Sequence, residues 1–246
     1  MHWTVLAVIS TAVFLFVLER IFPDQNLPHV KGWWFRIIFL NLCQIGIVFL
    51  AGISWDIFLL KWSLLDLNYI QPWIGGFWSY ILITFVFYWW HRLRHDSFFF
   101  WLAFHQLHHS PRRIEALTSF YKHPMEIIIN SILISSISYT LLGLNTEGAA
   151  WAVLYAGTAE LIYHTNIRTP RLLGYFFQRP EMHRIHHQTD LHYYNFSDLP
   201  FWDILFRTWR NPERQNESCG FKGEEELQFV PMLMFSDATK VIERRV

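Results

Sequence analysis

Residues 73–95 read Trp73-Ile-Gly-Gly-Phe-Trp-Ser-Tyr-Ile-Leu-Ile-Thr-Phe-Val-Phe-Tyr-Trp-Trp90-His91-Arg-Leu-Arg-His95. From Trp73 to Trp90 there is no charged side chain. A helix needs about 20 apolar residues to cross the hydrocarbon core of a bilayer, and this run comes close to that length. Two histidines four residues apart follow it at once. Residues so spaced share one face of a helix, so His91 and His95 are expected side by side just past an apolar helix. The stretch thus joins a membrane segment to a cluster of imidazoles at its boundary.

Four more apolar blocks lie around it. Trp3 to Ile21 is apolar until Glu19 and Arg20, and Trp33 to Leu60 is broken only by Arg36, Asn41, Gln44 and Asp56. Ile127 to Leu144 has no charge, and Ala149 to Tyr163 has only Glu160. The last two are joined by Asn145 to Gly148, so they form a hairpin that either crosses the bilayer or dips into it. Glu19-Arg20-Ile21-Phe22-Pro23 is a poor cleavage site, so the first block reads as a retained helix. The expected fold is an all-α integral membrane protein with four to five transmembrane helices and a cytoplasmic helical cap holding a histidine-rich dimetal site. Residues 1–72 would be anchor helices, 73–210 the catalytic domain and 211–246 a polar tail.

Composition agrees. Charged residues are 16% of the chain, against roughly 25% in soluble domains, and hydrophobic ones 52%. With 20 basic and 20 acidic residues the net charge is zero, which argues against a nucleic-acid-binding role. Two distant cysteines, Cys43 and Cys219, exclude a disulfide scaffold or a cysteine-based zinc module. The cations are unevenly placed. If all five blocks cross, only Lys61 of the 20 Lys and Arg falls on the far side, leaving 19 on the other. The positive-inside rule makes that side, which carries the histidines, cytoplasmic.

Nine of the 13 histidines fall in two windows: His91 and His95 with His105-Gln-Leu-His108-His109, then His183-Arg-Ile-His186-His187 with His192. Neutral imidazole is a common ligand for Zn, Cu, Fe and Ni. Eight ligands (His91, His95, His105, His108, His109, His183, His186 and His187) exceed the four of a structural zinc and suffice for two metals with open positions. His164 emerges at the same face after Glu160. His192 lies off the i+3/i+4 face, and His2 and His29 look incidental.

The quoted motifs HRLRH (91–95), FHQLHHS (104–110) and MHRIHHQ (182–188), followed by NFSDLPFWDILFRT (195–208), resemble the fatty acid hydroxylase superfamily, over roughly Trp73 to Trp209. That group includes sterol desaturases and sphingolipid and carotenoid hydroxylases. The resemblance implies two iron ions and O2 as co-substrate. It also implies hydroxylation or desaturation of an unactivated C–H in a lipid such as a sterol, fatty acyl chain or sphingolipid. It adds His164 as a further ligand, and His123 in an "HP" element as a ligand, a partner behind one or a helix-entry residue, since Pro124 is well placed at a helix start. Ligating histidines commonly donate their other N–H to a carboxylate or carbonyl; Asp96, Glu115, Glu160, Glu181, Asp198 and Asp203 are candidates, with Glu160 foremost because intramembrane carboxylates tend to be functional.

The chain has no dinucleotide fingerprint, haem-attachment motif or cysteine cluster. An external electron donor is therefore expected, a ferredoxin or cytochrome b5 with its NAD(P)H reductase. Arg92, Arg94, Arg112 and Arg113 could attract an acidic donor, though control of topology explains them as well. Two other classes remain open. A metal transporter would hold ligands at mid-bilayer depth. A zinc hydrolase would show an HExxH-type base, which is absent. Compactness and the lack of a retrieval signal favour a bacterial inner membrane over the endoplasmic reticulum.

Overall fold

The computed structural model describes residues 2–238, apart from the side chain of His2. The tail cations Lys240, Arg244 and Arg245 lie outside the described residues, as does the end of the 211–246 segment. The chain is helical throughout. In order, α1 spans His2–Ile21, α2 Trp33–Ile53, α3 Trp55–Leu59, α4 Pro72–Asp96 and α5 Phe98–Phe100. Then follow α6 Gln106–His109, α7 Pro124–Ser135, α8 Thr146–His164, α9 Pro180–His186, α10 Pro200–Leu205 and α11 Phe229–Leu233. Among the described residues no sheet forms, only one isolated bridge between Gln188 and Cys219.

Three helical stretches are long and apolar enough to cross a membrane: Trp3–Ile21, Trp33–Leu59 and Pro124–Leu141. Their outward residues are apolar and exposed, among them Leu6, Phe14, Phe35, Ile38 and Leu42. Such surface is stable only against lipid or another apolar partner. Helices α4 and α8 are long too, 25 and 19 residues. They pack closely together, and the outward face of α4 carries exposed aromatic residues such as Trp73, Phe77, Trp78 and Trp89. At Gly76 a Cβ would run into Trp151 and the Gly148 carbonyl, so glycine permits this close approach of backbones. Helix α1 lies against α8, and α2 against α7.

Residues 97–123 and 165–238 form a cap of short helices and loops packed on α4 and α8, with exposed apolar residues such as Phe98, Phe177 and Phe201 among its polar ones. The C-terminal segment belongs to it: Phe229 and Met232 pack with Trp33, Ile37 and Leu40 of α2 and with Leu107 and Tyr121. Ionic contacts tie the cap down. Arg36 of α2 and Arg112 both reach the buried Glu226. Arg184 of α9 pairs with Asp24 at 2.9 Å. Glu19, at the end of α1, accepts from the backbone N–H groups of Ala116 and Asn166, both at 2.9 Å.

Candidate metal centre

Five elements deliver the histidines. His91 and His95 sit in the last turn and a half of α4, and His164 ends α8. His105 closes a π-helical stretch at 101–105 that feeds into α6, which carries His108 and His109. A π-turn inserts an extra residue per turn and commonly marks functional sites. His183 and His186 lie on α9, and His187 caps it.

Nine of the ten expected ligands converge in two groups. The first joins His91, His95, His105, His109 and His186; the second joins His108, His164, His183 and His187. Within each group the candidate ligand atoms lie within 4.8 Å of one another. The partition follows the spacing. In each HxxHH box the first and last histidines, one turn apart, share a group, while the middle one points to the other group. His105 and His109 thus meet His186 from the second box, and His183 and His187 meet His108 from the first.

The ring nitrogens define what the groups can hold. His91 Nδ1 faces the Phe196 carbonyl at 2.7 Å, His186 Nδ1 that of Tyr194 at 2.8 Å, His164 Nδ1 that of Glu160 at 2.8 Å and His108 Nδ1 that of Tyr121 at 3.3 Å. A carbonyl only accepts, so each of these rings carries its proton on Nδ1 and turns a bare Nε2 lone pair inward. These lone pairs converge. His183 Nε2 lies 3.0 Å from those of His164 and His187, and His109 Nε2 lies 3.1 Å from those of His105 and His186. The Nε2 atoms of His91 and His95 have no hydrogen-bond partner. Adjacent ligands at right angles, each ~2.1 Å from a metal, would be ~3 Å apart. The two groups therefore fit two metal ions by donor type and spacing, and the four carbonyl-backed rings fit by tautomer as well.

Burial keeps the rings uncharged. It holds His105, His108, His109, His183 and His187 well below the usual histidine value, with neighbouring positive rings adding to the effect. Burial likewise brings His186 down to about 3. Neutral imidazole is the ligating form.

Sequence reasoning missed one carboxylate. Glu126, buried in the first turn of α7, pairs with Arg94 and lies 3.4 Å from His105 Nδ1; the Arg94 guanidinium, which only donates, is the nearer group at 3.2 Å. The ion pair as a whole backs this ring, as outer partners of metal ligands do. The only hint of Glu126 in the sequence is its place three residues past His123. The six carboxylates singled out above have other partners. Glu160 pairs with Lys122, and only its backbone carbonyl reaches His164. Glu115 accepts from Trp33 and Arg113 and contacts Arg20; Glu181 accepts from Thr169 and Arg179; Asp96 lies near Arg92. Asp203 accepts from the N–H groups of Phe196 and Ser197 and from Thr208. It thereby fixes the loop whose Phe196 carbonyl holds His91. Asp198 accepts from the Tyr163 hydroxyl at 3.0 Å.

The structure does not bring His123 into either group. It caps α7, with Nδ1 accepting from the Met125 N–H at 3.1 Å and Nε2 donating to the Leu233 carbonyl at 3.2 Å. His192 stacks on His95, with 5.6 Å between ring centres, and lies beside Trp101, forming an outer wall. The four arginines named above are differently placed. Arg94 is buried beneath Glu126, and Arg112 and Arg113 are engaged by Glu226 and Glu115.

A cavity of about 690 Å³ reaches the histidines from among the helices. Its lining on α8 runs from Thr146 to His164, so it follows that helix for ~27 Å at 1.5 Å per residue. Aliphatic residues of α1, α2, α7 and α8 line most of it, such as Val8, Val48, Ile127 and Val153. Most of its charged groups lie at the histidine end, while a second polar cluster, Asp56 with Ser135, lines it elsewhere.

An all-helical membrane chain with two adjacent polyhistidine groups at the mouth of an apolar cavity defines a narrow class of protein. The fatty acid hydroxylase family profile matches residues 76–208, more than half of the chain, and the chain belongs to that family. It is 26% identical over 152 residues to sphingolipid C4-hydroxylase sur2 of Schizosaccharomyces pombe, covering 60% of this chain and 52% of the relative. It is 27% identical over 157 residues to very-long-chain aldehyde decarbonylase GL1-4 of Oryza sativa, covering 58% of this chain and 25% of the relative. The chain thus spans about half the length of the first and a quarter of the second. No solved structure matches.

Proposed function

We propose that this protein is a membrane-bound di-iron oxidase that hydroxylates or desaturates an unactivated C–H of a lipid, using O2 and an external electron donor. One observation carries the reading: nine neutral imidazoles, grouped five and four around converging lone pairs, stand at the end of a lipid-sized apolar cavity. Iron bound by such ligands supplies one-electron chemistry and O2 activation.

The chain supplies the rest. The aliphatic walls hold an acyl or polyprenyl chain and keep water from the reacting carbon. Carbonyls of Phe196, Tyr194, Tyr121 and Glu160, with Glu126, fix the imidazole orientations. Hydroxylation takes one C–H, O2, two electrons and two protons to C–OH and water. Desaturation takes two adjacent C–H bonds with the same inputs to C=C and two waters. Neither flavin nor haem motifs occur in the sequence, so the electrons come from a ferredoxin or a cytochrome b5 with its reductase. On this reading α4 and α8 also enter the bilayer, and the cap faces the cytoplasm, in a bacterial inner membrane. Ligands at the ends of α4 and α8, rather than at mid-helix, favour an oxidase over a transporter.

The test is to purify the protein from iron-replete cells, measure metal content, and follow O2 consumption with a reductant and a lipid extract. Two irons per chain and a product heavier by one oxygen, or lighter by two hydrogens, are expected. Stoichiometric zinc with no oxygen uptake would overturn the assignment.

A further inference from the structure

The histidine end of the cavity holds five charged side chains, and four of them cancel in pairs. Arg94 is engaged by Glu126, and Lys122 by Glu160. Asp198 is the odd one. It forms no ion pair among the described residues: Lys122 is near enough to act on it but is engaged by Glu160, and its direct partners are hydroxyls, Tyr163 donating at 3.0 Å with Tyr80 beside it. Burial, reinforced by the Glu160 charge, pushes its carboxyl up to about 7. It remains partly accessible, and it lines the cavity. Tyr163 links it to the metal groups, since the tyrosine ring lies 4.4 Å from the His183 ring and 4.9 Å from the His164 ring.

A ligand in this cavity therefore meets an aliphatic channel along α8 and, beside the histidines, a hydrogen-bond acceptor with no free cation. A carboxylate or phosphate headgroup would be placed against Asp198 without a counter-charge. A hydroxyl or an amine would find an acceptor with spare lone pairs. The orientation also suits a membrane: the polar end lies toward the cap and the tail runs among the helices.

We infer that this end of the cavity is a headgroup subsite in which Asp198 accepts a hydrogen bond from the hydroxyl or amine of a single-chain lipid, so that the oxidised carbon lies close to the polar end. The position of oxidation rests on the oxidase reading above; the headgroup preference does not. Asp198 is a specificity residue here, not a metal ligand.

The experiment pairs binding with product analysis on the purified full chain. Tryptophan fluorescence titrations use hexadecanol, hexadecylamine and hexadecanoate at pH 8. The alcohol and amine should bind about tenfold or more tightly than the carboxylate, and Asp198→Asn should weaken amine binding by about tenfold. The same variant should bind hexadecanoate more tightly than the parent does, a gain that a misfolded protein cannot show, and its metal content should be unchanged. Equal binding of all three lipids, or no change in Asp198→Asn, overturns the subsite. In turnover, mass spectrometry should place the new oxygen or double bond within the first few carbons of the polar end. Oxidation at the methyl end would leave the oxidase reading intact and refute the subsite. The expected binding order without any oxidation would keep the subsite and refute the oxidase.

Discussion

The two histidine groups are built from the same three motifs, yet they differ in how they are held. The group of four (His108, His164, His183 and His187) is wholly buried. Three of its rings are anchored from behind, by the Tyr121 and Glu160 carbonyls and by the Gln178 side chain, which lies 2.8 Å from His183 Nδ1. The group of five also has three rings backed at Nδ1, His91 and His186 by carbonyls and His105 by Arg94 and Glu126. It differs in His95, which is partly exposed and walled only by Trp101 and His192. One group therefore has no ligand to spare, and the other has one more ligand, the partly exposed one. Close packing and outer hydrogen bonds fix ligand geometry, while an extra, partly exposed imidazole leaves room for a coordination site to change.

The largest test of this contrast removes one ligand from each group. His187→Ala should lower metal content from about two to about one per chain and abolish activity, because only three ligands remain. His95→Ala, which leaves four, should keep about two metals. Equal losses in both variants would break the contrast. Next comes the anchor: Glu126→Gln should weaken binding at the five-histidine site by about 10- to 100-fold, seen in competition with a chelator, and spare the other site.

A third test removes the metals. In the folded metal-free chain the buried imidazoles protonate only far below the ordinary value near 6.5, His186 at about 3. The unfolded chain takes up those protons first as pH falls. Stability present above about pH 6.5 should therefore be lost progressively toward about pH 3. Thermal unfolding at several pH values would show it, and a flat profile would contradict the burial described. Smallest of all, His123→Ala should cost ~1 kcal/mol through loss of a helix cap, with metal content unchanged. Arg207→Gly should gain ~1 kcal/mol, since Arg207 sits at φ 62°, in the left-handed region that penalises a side chain.

Much of this was legible in the sequence. Long apolar runs mark α1, α2 and α7 because faces turned to lipid must be apolar. The i, i+4 histidines read directly as neighbours because α4, α6 and α9 are local structures. The assignment of ligands between the two groups was not legible. His108 and His186 cross to the other group because tertiary packing brings the two boxes, far apart in sequence, together. Glu126 escaped notice for the same reason, since its partner His105 is brought to it by the π-helical turn. His123 looked like a ligand because histidine before proline fits a helix start equally well, and the cap is what formed.

The crossing of the HxxHH boxes also bears on assembly. Each group draws rings from both boxes, so a single bound ion would tie residues 91–109 to 186, or 108 to 164–187, and close a loop of some eighty residues. Either ion alone would therefore act as a clasp, the five-histidine group closing on α4 and the four-histidine group on α8.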